Sequence, residues 1–151
     1  MGYRSEVVAT FYVSSFISNT PAKTQQQKDK AESLFKVWWA ANFKGEETTL
    51  HEDFKPLKAP RVGYILELEY VKWYDSYPSI LWFNGLAEKF REDLCDNEGL
   101  DGGSGLHNWF AYEFVRLGEE RDDIEMVSHG NTEYVLNVER TITVDVCTEE
   151  V

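Results

Sequence analysis

The chain has 151 residues, 42% of them apolar and 15% aromatic. That is enough to bury one core without staples, and too apolar for a disordered chain even at a net charge of −12. Twenty-seven acids against 15 bases set up a field that repels nucleic acid and anionic membrane and attracts basic surfaces.

Residues 6–14 alternate Val7, Ala9, Phe11 and Val13 with Val8, Thr10 and Tyr12. Apolar on both sides, they predict a strand in the interior of a sheet. Thr20 and Pro21 supply a cap and a first helical position, and Ala31, Leu34, Phe35, Trp38 and Trp39 recur at helical spacing. This predicts an amphipathic helix over 21–43, with Gly45 as its stop. Mixed charge with Pro56 and Pro60 predicts a long surface connection over 44–60, with a short helical turn at His51–Phe54. A second strand, Val62–Trp73, sets Tyr64, Leu66, Leu68 and Tyr70 against Ile65, Glu67, Glu69 and Val71. Asp75-Ser76-Tyr77-Pro78 breaks it and starts a helix. Ile80, Phe83, Ala87, Phe90 and Leu94 form its buried stripe, while Glu88, Arg91, Glu92 and Asp93 face water.

Four glycines between Asn97 and Gly105 predict a flexible loop over 97–105. Trp109–Leu117 reads as a third strand, with Phe110, Tyr112 and Phe114 on one face and Ala111, Val115 and Leu117 on the other. After an acidic turn at Gly118–Asp123, Ile124–Ser128 and Tyr134–Val146 read as two further strands. The order β-α-β-α-β-β-β predicts a single α+β domain over 1–151. Its economical form is a two-layer sandwich, a mainly antiparallel sheet with two helices on one face. An uncovered edge strand in so apolar a sheet is compatible with a homodimer.

No constellation for covalent chemistry stands out. The glycine-rich Gly99–Gly105 segment lacks the Lys-Ser/Thr of a phosphate loop, and Asp101 opposes an anion. His51, His107 and His129 are scattered without metal-ligand spacing, and the acidic turn lacks the alternating oxygens and mid-loop glycine of an EF-hand. Ser5, Ser14 and Ser15 have no glycine elbow. Carboxylates are plentiful, but spacing singles out no pair for a two-acid hydrolase. The expectation is a non-enzymatic protein with no cofactor and no metal. Cys95 and Cys147 are expected as reduced thiols rather than a disulfide. The apolar runs fall short of a membrane span, and no basic-then-apolar leader precedes Val7, so no membrane association is expected.

Three phrases carry a resemblance: Gly2-Tyr3-Arg4-Ser5-Glu6-Val7, Val71-Lys72-Trp73-Tyr74-Asp75-Ser76-Tyr77, and Arg116-Leu117-Gly118-Glu119-Glu120 continuing through Asp122-Asp123-Ile124-Glu125. In that order they resemble a family of small, largely uncharacterised tailed-phage proteins with a G-Y-R-S-D/E-V start, a K-W-Y-E/D phrase and an R-I/L-G-E-E…D-I-E phrase. The resemblance covers most of the chain except roughly 20–60, and implies a phage origin and a fold unit rather than a reaction.

Phage origin, acidity and aromatic content together predict a host-takeover or anti-defence protein in the host bacterial cytoplasm. It would inhibit a bacterial protein with a basic surface, such as a defence effector or a nucleic-acid enzyme, without binding nucleic acid itself. Tyr74, Tyr77 and Trp82 lie off the buried stripe and are the expected anchors; Glu119, Glu120, Asp122, Asp123 and Glu125 would supply the attraction. A second reading is a sponge for a nucleotide immune signal, held in a basic and aromatic pocket of Arg4, Lys72, Trp73, Arg116 and Arg140. The alternative for the two phrase arginines is structural pairing, Arg4 with Glu6 and Arg116 with Asp122. A virion or assembly component is a third reading.

Overall fold

The computed structural model describes residues 4–14, 21–43, 50–120 and 122–133. Strand β1 is Ser5–Val13, helix α1 Pro21–Asn42, β2 Phe54–Pro56, β3 Gly63–Val71, helix α2 Pro78–Phe90, β4 Phe110–Gly118 and β5 Ile124–Gly130. The strands form one antiparallel sheet in the order β2-β3-β1-β4-β5. The chain is an α+β sandwich, and β1 lies at the centre of the sheet, as its two apolar sides predict. The expected cap Thr20, the strand at Tyr134–Val146, Arg140 and Cys147 lie outside the described residues.

Both helices pack on the face that carries Phe11. Trp39 of α1 lies 5.4 Å from the Phe11 ring, and Phe90 and Phe83 of α2 lie 5.2 and 6.1 Å from it. Phe35, Leu66, Phe83, Phe90, Trp109 and Phe110 are buried around this point. Of the predicted stripe of α2, Ile80, Phe83 and Phe90 are buried; Leu86 is buried with them, and Ala87, expected inside, is half-buried. Past Phe90 the helix widens into a π-turn at Arg91–Cys95, which buries both Leu94 and Cys95.

The opposite sheet face is also sheltered where Thr10, Tyr12, Ala111 and Glu113 meet. The Tyr12 hydroxyl donates to the Glu113 carboxylate and accepts the Glu133 backbone N–H at 2.7 Å. The Arg61 guanidinium lies 5.6 Å over the Tyr12 ring and pairs with Glu133 at 2.8 Å.

Three local features depart from the pattern read along the chain. The connection at 50–60 carries the expected helical turn, a 3-10 turn at Leu50–Asp53, but also a strand, β2. Phe54 explains the strand: its ring packs 5.7 Å from Trp39 and 6.1 Å from Phe11, pulling the segment onto the edge of β3. The glycine-rich segment is folded into a 3-10 turn, Leu100–Gly103, and is tied to α1 by Lys30–Asp101 at 3.2 Å and Gln27–Ser104 at 3.4 Å. The alternation of β3 breaks near its end, where Val7 faces Leu68 but Ser5 faces Val71. This β-bulge puts Tyr70 at φ 61° and turns its ring to solvent, 72% exposed, instead of onto the Leu66–Leu68 side.

Candidate functional site

Ser5 pairs with Val71 on one side and with Gly118 on the other. The end of β3, the start of β1 and the β4–β5 hairpin therefore share one end of the sheet, within about 10 Å across two strand spacings. The described residues of the three phrases singled out above, from Arg4 onward in the first, run into this end. Arg116 joins the first phrase to the third: its guanidinium donates to both oxygens of Asp123 at 2.9 and 3.2 Å, to Glu125 at 3.0 Å and to Ser5 Oγ at 3.1 Å. Bonding to Asp123 raises its pKa further, against a smaller opposing effect of burial, so the cation is permanent. Arg116 thus has a structural partner, Asp123 rather than the Asp122 weighed from the sequence.

The predicted anchors separate. Tyr74 and Tyr77 meet edge to face at 5.2 Å, with Tyr74 half-buried and Tyr77 38% exposed. Leu81, one helical turn on from Tyr77, is 58% exposed and was not expected in this patch. Trp82 is a correction: half-buried, it packs 5.6 Å from Phe43 and 6.1 Å from Phe54, because α1 and β2 both lean on that flank of α2. Glu119, Glu120 and Asp122 are exposed on the hairpin, whereas Asp123 and Glu125 are held by Arg116.

Of the residues picked for a basic pocket, the described ones (Arg4, Lys72, Trp73 and Arg116) are not brought together as one. Arg4 lies 5.3 Å over the exposed Tyr70 ring rather than against Glu6. Trp73 packs 5.3 Å from Phe83 and 5.8 Å from Phe114, Lys72 is half-buried beside it in sequence, and Arg116 is committed to its carboxylates.

A groove that sequence reasoning missed opens beside this surface. Because α2 is centred over β1 and β4, it leaves β5 uncovered, and a cavity of about 410 Å³ runs between them. Its floor is aromatic: Trp73, Phe83, Tyr112 and Phe114. One wall is the flank Asn84, Ala87, Glu88 and Arg91, spaced at helical steps; the other is Glu125, Val127 and His129, alternate residues of β5. Asp75 stands at the end nearest the β3–α2 turn. Those two periodicities were the available signal, but nothing in the sequence said that they face each other.

Electrostatically the groove is acidic, with three carboxylates (Asp75, Glu88, Glu125) against one guanidinium. Arg91 is engaged by Asp96 at 2.9 Å and lies 3.7 Å from Glu88. His129 stacks on Tyr112 with ring centres 6.0 Å apart, and burial, then the Arg91 charge, hold its pKa below the usual histidine range. Its imidazole is neutral at neutral pH. Burial also raises the Tyr112 phenol, helped by the Glu125 charge, and keeps it protonated.

A second cavity, of about 400 Å³, is lined by Cys95, His107, Asn108, Gly130 and Asn131. Burial pushes the Cys95 thiol up to about 12, with a smaller push from Asp96, which removes the thiolate a nucleophile or ligand requires. Among the described residues no group of three or more His, Cys, Asp or Glu side chains is arranged to hold a metal ion, and no helix is long and apolar enough to cross a membrane. Comparison with protein-family models, with curated proteins and with solved structures returned no match.

Proposed function

We propose that this chain is a phage-encoded, non-enzymatic protein of host takeover or anti-defence that binds a bacterial protein through the sheet end built by its three phrases. The observation that carries this reading is the convergence at Ser5. It places the exposed acids Glu119, Glu120 and Asp122 on one side and the Tyr74–Tyr77–Leu81 patch on the other. Long-range attraction and short-range apolar affinity then act on the same partner. A net charge of −12 selects a partner with a basic surface, a defence effector or a nucleic-acid enzyme. The phage origin rests on the resemblance of the three phrases.

The chain, immobilised and exposed to bacterial extract, should retain a basic protein whose affinity, measured with purified components, falls steeply between about 0.05 and 0.5 M salt. Replacing Glu119, Glu120 and Asp122 by their amides should lower the association rate, and Tyr77→Ala with Leu81→Ala should speed dissociation. A complex whose affinity is the same at both salt concentrations would refute a charge-driven surface.

A further inference from the structure

We infer that the groove between α2 and β5 receives an arginine side chain presented by the partner, a deepening that rests on the docking surface proposed above. The groove opens between the two halves of that surface, since Asp75 belongs to the same turn as Tyr74 and Tyr77 and Glu125 follows the acidic hairpin.

Four observations define the occupant. Glu125 is shared with Arg116 and Glu88 lies 3.7 Å from Arg91, but Asp75 has no ion-pair partner among the described residues, so the groove favours a cation. A floor of Trp73, Phe83, Tyr112 and Phe114 favours a planar, weakly hydrated one that gains from contact with aromatic faces, which is guanidinium rather than ammonium. Tyr112 is only 4% exposed, lines the groove, and its hydroxyl has no hydrogen-bond partner among the described residues. The hydroxyl is not sealed off from solvent, and an entering N–H would use its oxygen as acceptor. Asp75, exposed at the mouth and without an ion-pair partner among the described residues, can take the forked donors of the same guanidinium. At about 410 Å³ the cavity lies at the lower end of sites that enclose a small ligand, suited to a side chain rather than a folded segment.

The test uses the full chain, labelled with ¹⁵N, and two probes, N-acetyl-arginine amide and N-acetyl-lysine amide. The arginine probe should shift the Trp73 indole N–H together with the amides of Val127 and His129, and the lysine probe should bind about tenfold more weakly. Asp75→Asn with Glu88→Gln, both exposed positions, should weaken the arginine probe about tenfold. Tyr112→Phe, which keeps the ring, should weaken it less while leaving the unliganded spectrum folded. Equal binding of lysine, or arginine shifts confined to the hairpin, would overturn the assignment. If a captured partner is lost on neutralising the hairpin but retained in full by Asp75→Asn with Glu88→Gln, the groove inference fails and the docking surface stands. If the arginine probe occupies the groove and no partner is retained by the immobilised chain, the docking surface fails and the groove stands.

Discussion

Replacing Arg116 by Met tests the device that joins the start of β1 to the β4–β5 hairpin. The side chain is 17% exposed and makes three hydrogen bonds to carboxylates and one to Ser5, itself 4% exposed. Charge-assisted bonds contribute about 1.5–3 kcal/mol when sheltered and about 0–1 kcal/mol at the surface. Asp123 is 31% exposed and bound through both oxygens, so it falls between these limits, while Glu125 at 51% belongs to the surface class. Leaving the Ser5 hydroxyl without its donor adds up to about 1 kcal/mol, and the methionine stem retains most of the apolar packing. The expected loss is about 2 kcal/mol, a large share of the 5–15 kcal/mol typical of a domain. Urea unfolding would read it as a lower midpoint at unchanged slope. A double-mutant cycle with Asp123→Asn should return about 1 kcal/mol of coupling. In hydrogen exchange the Gly118 amide, which bonds the Asp123 carbonyl at 2.8 Å, should lose protection. A loss below about 0.5 kcal/mol, or additive single mutants, would refute the idea that Arg116 holds this end of the sheet together.

Two glycines should answer a methyl group with opposite signs. Gly130 lies at φ 82°, and a Cβ there would sit 2.1 Å from the Phe110 carbonyl oxygen, so Gly130→Ala should cost about 2 kcal/mol or more. At Gly85, inside α2, a Cβ meets nothing within 4 Å, and Gly85→Ala should stabilise by about 0.5–1 kcal/mol; thermal unfolding of both variants checks the pair. Cys95, with its thiol pushed up to about 12, should resist an aromatic disulfide reagent at pH 8 until the chain unfolds; rapid labelling of Cys95 in the native protein, read by peptide mass spectrometry, would contradict its burial. Burial raises both Tyr12 and Tyr112 above the ordinary tyrosine value, with the Glu113 hydrogen bond adding to the effect at Tyr12. A raised folded-state value means stability is full below about pH 10 and declines as pH climbs past it, because the unfolded chain releases these protons first. Absorbance at alkaline pH should show two tyrosines that ionise only with unfolding, and normal titration of all eight would count against the Tyr12–Glu113 contact.

Much of the fold was legible because burial imposes a period on the chain. The two apolar sides of residues 6–14 forced β1 into the middle of the sheet, and the Phe83–Phe90–Leu94 stripe required a helix with one covered face. Where local pattern and tertiary contact disagreed, contact prevailed. Phe54 drew a proline-bearing connection into β2, and the bulge at the end of β3 ejected Tyr70, which strict alternation had placed inside. Trp82, polar-sided on a helical wheel, found its cover in Phe43 and Phe54, residues 39 and 28 positions away.

Charge, aromatic content and the order of elements are additive properties of the chain, and they were sufficient to predict an acidic α+β sandwich. The candidate site depends on separations in space. That Ser5 would face both Val71 and Gly118, that Arg116 would choose Asp123, and that the flank of α2 would stand opposite alternate residues of β5 were decided by strand register and by where the helix came to rest. Register and helix placement are set by contacts between distant segments, and no periodicity within a single segment encodes which distant segment it will meet.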